Sequence, residues 1–276
     1  MPELPEVETI VRRLRRELPG RQVARAEVLR PNAVRGSVRR FVTAVTGATI
    51  EAVERRAKFI VMRLSGRRVW VSHLRMTGKW QFIARGGAAL PGYTRAVFDF
   101  EDGARLVFVD PRTLGEMEVL SAGAWRARDA ALGVEPLSPA FTAEELMTRF
   151  AGSRRAIKEW LLDQTHVAGL GNIYVVEALW RARVSPRRRA CHVGPVRARR
   201  LHAAIIDVLT AAVAKQGTTL GKGVTHYTDA TGDPGAFYDF LQVYDREGEP
   251  CARCGTAIRR ITQGQRSTYY CPGCQR

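Results

Sequence analysis

Four of the chain's five cysteines lie in its last 26 residues, as Cys251-Ala-Arg-Cys254 and Cys271-Pro-Gly-Cys274. Two CxxC pairs with sixteen residues between them are a tetrahedral metal pattern. Each tight knuckle supplies two thiolates, and a hairpin between the knuckles brings the pairs together. Gly255 and Gly273 give the knuckles backbone freedom. Four thiolates leave no open coordination position, so the expected ion is one structural zinc. Cys191 is left over and reads as an ordinary thiol. The tail carries Arg253, Arg259, Arg260 and Arg266 with Tyr269 and Tyr270, a mixture suited to a phosphate backbone.

A second group is at the other terminus, in MPELPEVET. Pro2 follows a methionine of the kind that is removed before a small residue. The freed α-amine titrates near about 7.7–8.0, so part of it is neutral at physiological pH. Such an amine can attack a sugar C1′ and form an iminium. Glu3 and Glu6 stand where they could move protons for that step. Proline and glutamate are also good helix-start residues, so these residues alone leave both readings open.

The elements that must position these groups follow from periodicity. Val7, Ile10, Val11, Leu14 and Leu18 recur at three- and four-residue steps and predict a helix that stops at Pro19-Gly20. From about residue 22 to 120 short β-branched runs alternate with turns. Strands are expected at Ala48–Val53, Lys58–Leu64, Val69–Leu74, Ala96–Phe100, Leu106–Val109 and Glu116–Leu120. These runs suggest an antiparallel sandwich. Leu137-Ser138-Pro139 looks like a linker. Helical segments follow near Thr142–Phe150, Ala156–Leu162, Ile173–Arg183 and Arg197–Gln216, then a Gly-rich loop over Gly217–Gly235 and the cysteine tail.

Lys and Arg number 44 against 27 Asp and Glu, a formal charge of +17. That excess favours a polyanionic partner, because each cation placed on a phosphate releases a condensed counterion. No apolar run approaches the roughly 18 residues of a membrane span, and the acidic N-terminus lacks a signal-peptide pattern. A reducing cytoplasm and no membrane association are the expectation.

Several motifs in order resemble formamidopyrimidine-DNA glycosylases: MPELPEVET, AKF at 57–59, HLRMTG at 73–78, DPRTLG at 110–115 and IKEWLLDQTHVAGLGNIYVVEALW at 157–180. QGTTL at 216–220 and LQVYDREGEPCARCG leading into the zinc tail extend the match over nearly the whole chain. The resemblance implies an α+β multidomain protein. Residues 1–136 would be an N-terminal antiparallel β-sandwich with its N-terminal helix, carrying the catalytic groups. Residues 137–235 would be a helical helix–two-turn–helix domain with a lesion-capping loop, and 236–276 a four-cysteine zinc hairpin. It implies Pro2 as nucleophile, Glu3 as acid/base, Glu6 in support of proton handling, and Lys58 beside the lesion. Asn172 and Arg266 would grip the phosphates flanking a flipped nucleotide. Met76, Arg112 and Leu114 would fill the void it leaves, since base chemistry requires extrusion from the stack. His73 and Tyr93 complete the implied DNA contacts. The implied reaction is excision of 8-oxoguanine and formamidopyrimidines from double-stranded DNA, followed by β- and δ-elimination. The enzyme would be a monomer at the bacterial nucleoid, with zinc and no organic cofactor.

Two departures bear on lesion preference. Leu114 stands where the family usually has Phe, and Tyr93-Thr94-Arg95 replaces a more usual His-containing strand start. Leu4 disfavours the sister endonuclease VIII branch, which typically has Gly there and prefers oxidised pyrimidines. A non-catalytic DNA-binding module is the third reading, disfavoured by intact Pro2, Glu3, Glu6 and Lys58. Judged by residue type alone, Met76 and Leu114 would be core residues.

Overall fold

The computed structural model describes residues 2–87, 89–220, 227, 228, 230 and 232–276. The chain folds as two compact units. One comprises Met1–Ala130 with Lys215–Tyr238, the other Ala131–Ala214 with Asp239–Arg276.

The first unit is a sandwich of two four-stranded antiparallel sheets. One contains β1 (Val23–Val28), β5 (Lys79–Ile83), β6 (Thr94–Phe100) and β7 (Arg105–Val109) in the order β1-β6-β7-β5. The other contains β2 (Ile50–Arg56), β3 (Phe59–Leu64), β4 (Arg68–His73) and β8 (Glu116–Ser121) in the order β2-β3-β4-β8. Alternation along β3 shows how both faces of that sheet are used. Ile60, Met62 and Leu64 enter the main core, while Val61 joins Val69, Val71 and Trp125 on the opposite face. Trp125 belongs to α3 (Ala122–Ala130), which covers that face. A strand buried on both sides reads as a near-continuous apolar run, as FIVMRL does.

The N-terminal helix α1 (Leu4–Glu17) is packed into the main core. Val7, Ile10, Val11, Leu14 and Leu18 are fully buried there with Trp70, Trp80, Phe98 and Phe108. Those rings meet at centroid separations of 4.5–5.9 Å. Burial of each aliphatic side chain contributes about 1.5–3 kcal/mol, so the helix, and the start of the chain with it, is held firmly. A short helix, α2 (Val38–Val45), seals one side of the same core through Phe41 and Val45.

The second unit is helical: α4 (Ala143–Phe150), α5 (Ile157–Leu162), α6 (Asn172–Arg181) and the long α7 (Pro195–Ala214), followed by a hairpin of β9 (Arg259–Gln263) and β10 (Arg266–Tyr270). The α5–α6 connection is stapled by one side chain. Gln164 donates to the carbonyls of Leu162 and Leu170 at 2.9 Å each and accepts from the Gly169 N–H at 2.9 Å. Gly169 has φ +95°, a value that L side chains rarely adopt. The β9–β10 turn is Gly264-Gln265, with φ +52° and +61°, a two-residue hairpin connection. Among the described residues no helix is long and apolar enough to cross a membrane.

Candidate active site and metal centre

The head of α1 is built by two carboxylates. Glu3 is the N-cap, and its side chain accepts from the Glu6 backbone while Glu6 Oε2 accepts from Glu3 N at 2.7 Å. This reciprocal capping box satisfies orphan donors at a helix start. The other oxygen of Glu6 accepts from Thr218 N at 2.8 Å. The backbone at Gly217 passes so close that a Cβ there would lie 2.7 Å from Glu6 Oε1. Glu6 therefore ties the chain after α7 to the head of α1. Pro2, Glu3 and Glu6 are all buried. Met1 lies outside the described residues, as do residues 221–226, 229 and 231 of the loop expected over Gly217–Gly235.

Lys58 sits in the two-residue β2–β3 turn after Ala57, whose φ is +53°. The expected strand thus begins one residue later, at Phe59. Lys58 is 7% exposed and lies close enough to His73 to perturb it. Burial first, then the charges of Arg75 and Lys58, push the imidazole down to about 3. His73 Nδ1 accepts from the Arg75 backbone N–H at 3.0 Å, which leaves the proton on Nε2. A neutral donor is thus presented beside two cations. The unfolded chain takes up this proton near pH 6.5 and the folded chain only near 3. Folding stability therefore declines as pH falls through that window. Nuclear magnetic resonance should show the His73 ring neutral down to about pH 5; a midpoint near its ordinary value would contradict this geometry.

Asp110 is the organiser of the 110–115 loop. Fully buried, it accepts from the Thr77 hydroxyl and from the backbone N–H groups of Arg112 (3.1 Å), Leu114 (2.7 Å) and Gly115 (2.6 Å). Arg95 secures the same loop from outside, donating to the carbonyls of Asp110 (2.6 Å) and Pro111 (3.1 Å). The fixed loop pushes Leu114 outward at 43% exposure, near-matched by Met76 at 47% and Tyr93 at 53%. Arg112 Nη1 meets Met76 Sδ at 3.8 Å. Met76 and Leu114 are thus not core residues, as type alone would have them. They are apolar side chains held out into solvent by a rigid base. Asp110→Asn would turn an amide N–H toward buried donors, at a cost of about 1–3 kcal/mol. Denaturant unfolding should register that loss, and an unchanged midpoint would mean the loop is held by something else.

In the second unit, Asn172 opens α6 behind the N-cap Gly171, and its Nδ2 donates to the Ser267 carbonyl at 3.0 Å. Lys158 on α5, fully buried, donates to the same carbonyl at 3.2 Å and to Thr268 Oγ1 at 2.6 Å. These bonds hold Arg266, the exposed residue next to Ser267, near the start of α6. Glu177 on α6 performs the same service for the segment before the hairpin. Its carboxylate accepts from the N–H groups of Gln242, Val243 and Tyr244 at 2.9–3.0 Å, while burial pushes its carboxyl up. Sequence reasoning named Asn172 and Arg266 but passed over Lys158 and Glu177. The available signal was a charge inside an apolar helical face, between Ile157 and Trp160 in one case and Val176 and Leu179 in the other.

The sulfurs of Cys251, Cys254, Cys271 and Cys274 lie within 4.8 Å of one another. Tetrahedral zinc with Zn–S of about 2.3 Å needs sulfurs roughly 3.8 Å apart. The observed Cys254–Cys271 and Cys251–Cys274 separations are 3.4 and 4.0 Å. Donors already face the sulfurs: Trp180 Nε1 and Arg253 N reach Cys251, and Cys274 N reaches Cys271. The cluster fits one structural zinc, and Cys191 lies outside it.

A sandwich with a carboxylate pair at its buried N-terminal helix head, and a helix–two-turn–helix unit bearing a zinc hairpin, define a class of DNA-repair glycosylases. Residues 1–117 match the formamidopyrimidine-DNA glycosylase N-terminal domain, 132–223 the formamidopyrimidine-DNA glycosylase H2TH domain, and 248–276 the zinc finger found in FPG and IleRS. The chain is 43% identical to the formamidopyrimidine-DNA glycosylase of Symbiobacterium thermophilum, covering all of this chain and 89% of that one. The Streptococcus pneumoniae R6 enzyme is 40% identical over 100% and 99% of the two chains. Among solved structures, a Lactococcus lactis FPG point mutant in complex with Fapy-dG-containing DNA superposes with a TM-score of 0.91 at 32% identity, over the full length of both chains. The wild-type L. lactis protein with DNA containing an oxidised pyrimidine gives 0.89 at 32%, again over both full chains. The chain belongs to the formamidopyrimidine-DNA glycosylase family and is a DNA glycosylase of base-excision repair.

Proposed function

We propose that this protein excises oxidised purines, 8-oxoguanine and formamidopyrimidines, from duplex DNA and then cleaves the strand, with the freed amine of Pro2 as nucleophile. The observation that carries the reading is the construction of the α1 head. Pro2 and Glu3 are buried side by side, and Glu6 clamps them through Glu3 N and Thr218 N. The Pro2 nitrogen attacks C1′ of the extruded nucleotide, and the C1′–base bond breaks with its electron pair leaving on the base. Glu3 supplies the proton that the base or the ring oxygen needs. The bonded nitrogen then gives up its proton, and its lone pair forms the C1′–N double bond as the C1′–O4′ bond breaks onto the ring oxygen, which gives an open-chain iminium. Proton abstraction at C2′ then expels the 3′ phosphate, and a second elimination expels the 5′ phosphate. Glu6, with both oxygens on backbone donors, supports this by holding Glu3 in place.

DNA binding follows from chemistry on both units. Lys58 and the Nε2–H of neutral His73 offer donors to phosphate oxygens, and Asn172 and Arg266 offer a second set at a helix start. Met76, Arg112 and Leu114 enter the opened stack, with Tyr93 beside them. The protein acts as a monomer in the cytoplasm, on chromosomal DNA.

Borohydride trapping on duplexes carrying 8-oxoguanine, formamidopyrimidine, an oxidised pyrimidine or no lesion tests the reading, since reduction captures only an imine. A covalent adduct with the purine lesions is expected. Faster trapping on the oxidised pyrimidine would move the preference to the sister branch. Binding without any adduct would leave only a DNA-binding module.

A further inference from the structure

Away from the groups used above, the outer face of α2 forms an open groove of about 650 Å³ lined by Ser37, Arg39, Arg40, Thr43, Ala44 and Arg68. Three of these six carry guanidinium groups and none carries a carboxylate. Several exposed arginines elsewhere are neutralised: Arg12 pairs with Glu8, Arg63 with Glu54, and Arg75 with Glu116. Among the described residues the side chains of Arg39 and Arg40 have no such partner.

The groove is also pre-formed. The opposite face of α2 is locked into the core by Phe41, whose ring meets Trp70 at 5.7 Å and Phe98 at 6.1 Å. Ser37 Oγ caps the helix by accepting from Arg40 N at 3.3 Å. Arg68 reaches across to the Ala44 carbonyl at 2.6 Å, which fixes its guanidinium at the far end. Arg68 and His73 occupy opposite ends of β4. At about 3.3 Å per residue this places the groove roughly 17 Å from the Lys58–His73 end of the sheet. A duplex engaged there would leave the groove open.

We propose that the α2 groove binds the phosphodiester backbone of a second DNA segment, so that the protein passes directly from one duplex to another. This rests on the reading of the protein as a DNA-binding glycosylase. Phosphate oxygens are the natural acceptors for unpaired guanidinium groups, which bind them through two parallel N–H bonds. A helix of eight residues spans about 12 Å, and a DNA strand presents a phosphate every 3.4 Å or so along its axis. The groove therefore matches a run of about three phosphates better than a single small anion. Two sites on one molecule allow a bridged intermediate, in which the second duplex is bound before the first is released.

The test is stopped-flow release of the whole protein from a fluorescent undamaged duplex into increasing unlabelled duplex. Wild-type release should accelerate with competitor concentration. The double variant Arg39→Gln/Arg40→Gln changes two exposed side chains, so folding is retained. Its release should be nearly independent of competitor, with single-turnover excision unchanged. The salt dependence of competitor-driven transfer should become shallower by about 1.8 log units per log unit of salt, at about 0.9 for each phosphate no longer engaged. Equal competitor dependence in the two proteins overturns the proposal. Tripolyphosphate titration separates the sources of phosphate. Arginine-dependent tripolyphosphate binding, with wild-type release indifferent to competitor duplex, would assign the groove to a small phosphate compound and overturn the DNA assignment. Arginine-dependent transfer in a protein that excises nothing would overturn the glycosylase reading instead and leave the groove assignment standing.

Discussion

Protein that retains Met1 should form no borohydride-trappable adduct, because an amide nitrogen at Pro2 has no lone pair to give to C1′. The expected effect is large, since the Met1 amine stands one residue away from the Pro2 nitrogen and, among the described residues, the head of α1 carries no other amine. Glu3 and Glu6 are carboxylates committed to the capping box, and Lys58 is a buried amine in a turn beside His73. An aminopeptidase-treated sample of the same preparation should recover the adduct, which separates a blocked amine from a misfolded one. Pro2→Ala is a weaker test because it keeps a primary amine. Glu3→Gln discriminates the two steps. It removes the proton donor and should slow base excision by about 10²–10⁴, while a preformed abasic site, which needs no base expelled, should still be nicked. Undiminished trapping by Met1-retaining protein would transfer the chemistry to another amine, with Lys58 the first to examine.

What the sequence revealed about this molecule depended on how local the physical signal was. The apolar face of α1 and the paired CxxC knuckles are set by neighbours in sequence, and both elements stand where spacing placed them. The strands buried on two faces were equally plain. β1 and β5 were not, because both are sheet edges. In β1 only Val23 is buried, and β5 begins with a buried lysine. α2 hid within the β-rich region because its eight residues include three valines and a threonine, types that favour strands. Only the Phe41–Val45 step betrays a helical face. The site was legible as motifs but not as architecture. Asp110, Lys158 and Glu177 look like surface charges until their buried hydrogen bonds to distant backbone are seen. Met76 and Leu114 look like core until Asp110 is seen holding the loop that exposes Leu114.

The second large effect is expected from Cys271→Ser. The hairpin has little core of its own: Cys251, Ile258, Tyr269 and Cys271 pack with Val243 and with Val176 and Trp180 of α6. Much of its folding free energy must therefore come from the metal, for which zinc-finger peptides gain about 10–16 kcal/mol at neutral pH. Serine is a poor ligand because its hydroxyl stays protonated, so the tetrahedron drops to three thiolates. Bound zinc should fall from one equivalent to near none. Amide exchange should then accelerate across Arg259–Gln263 and Arg266–Tyr270. The consequence reaches DNA through particular bonds. Ser267, whose carbonyl receives Asn172 and Lys158, belongs to β10, so an unfolded hairpin releases Arg266 and leaves the buried Lys158 ammonium short of acceptors. Removing one charged hydrogen bond to phosphate is worth about 1.5–3 kcal/mol, which converts to a roughly 10- to 150-fold weaker complex with lesion duplex. Cys191→Ser, outside the cluster, should change neither zinc content nor affinity. Zinc-free protein that binds lesion duplex as tightly as the native form would show that Arg266 is positioned by the α5 and α6 contacts alone, without help from the metal.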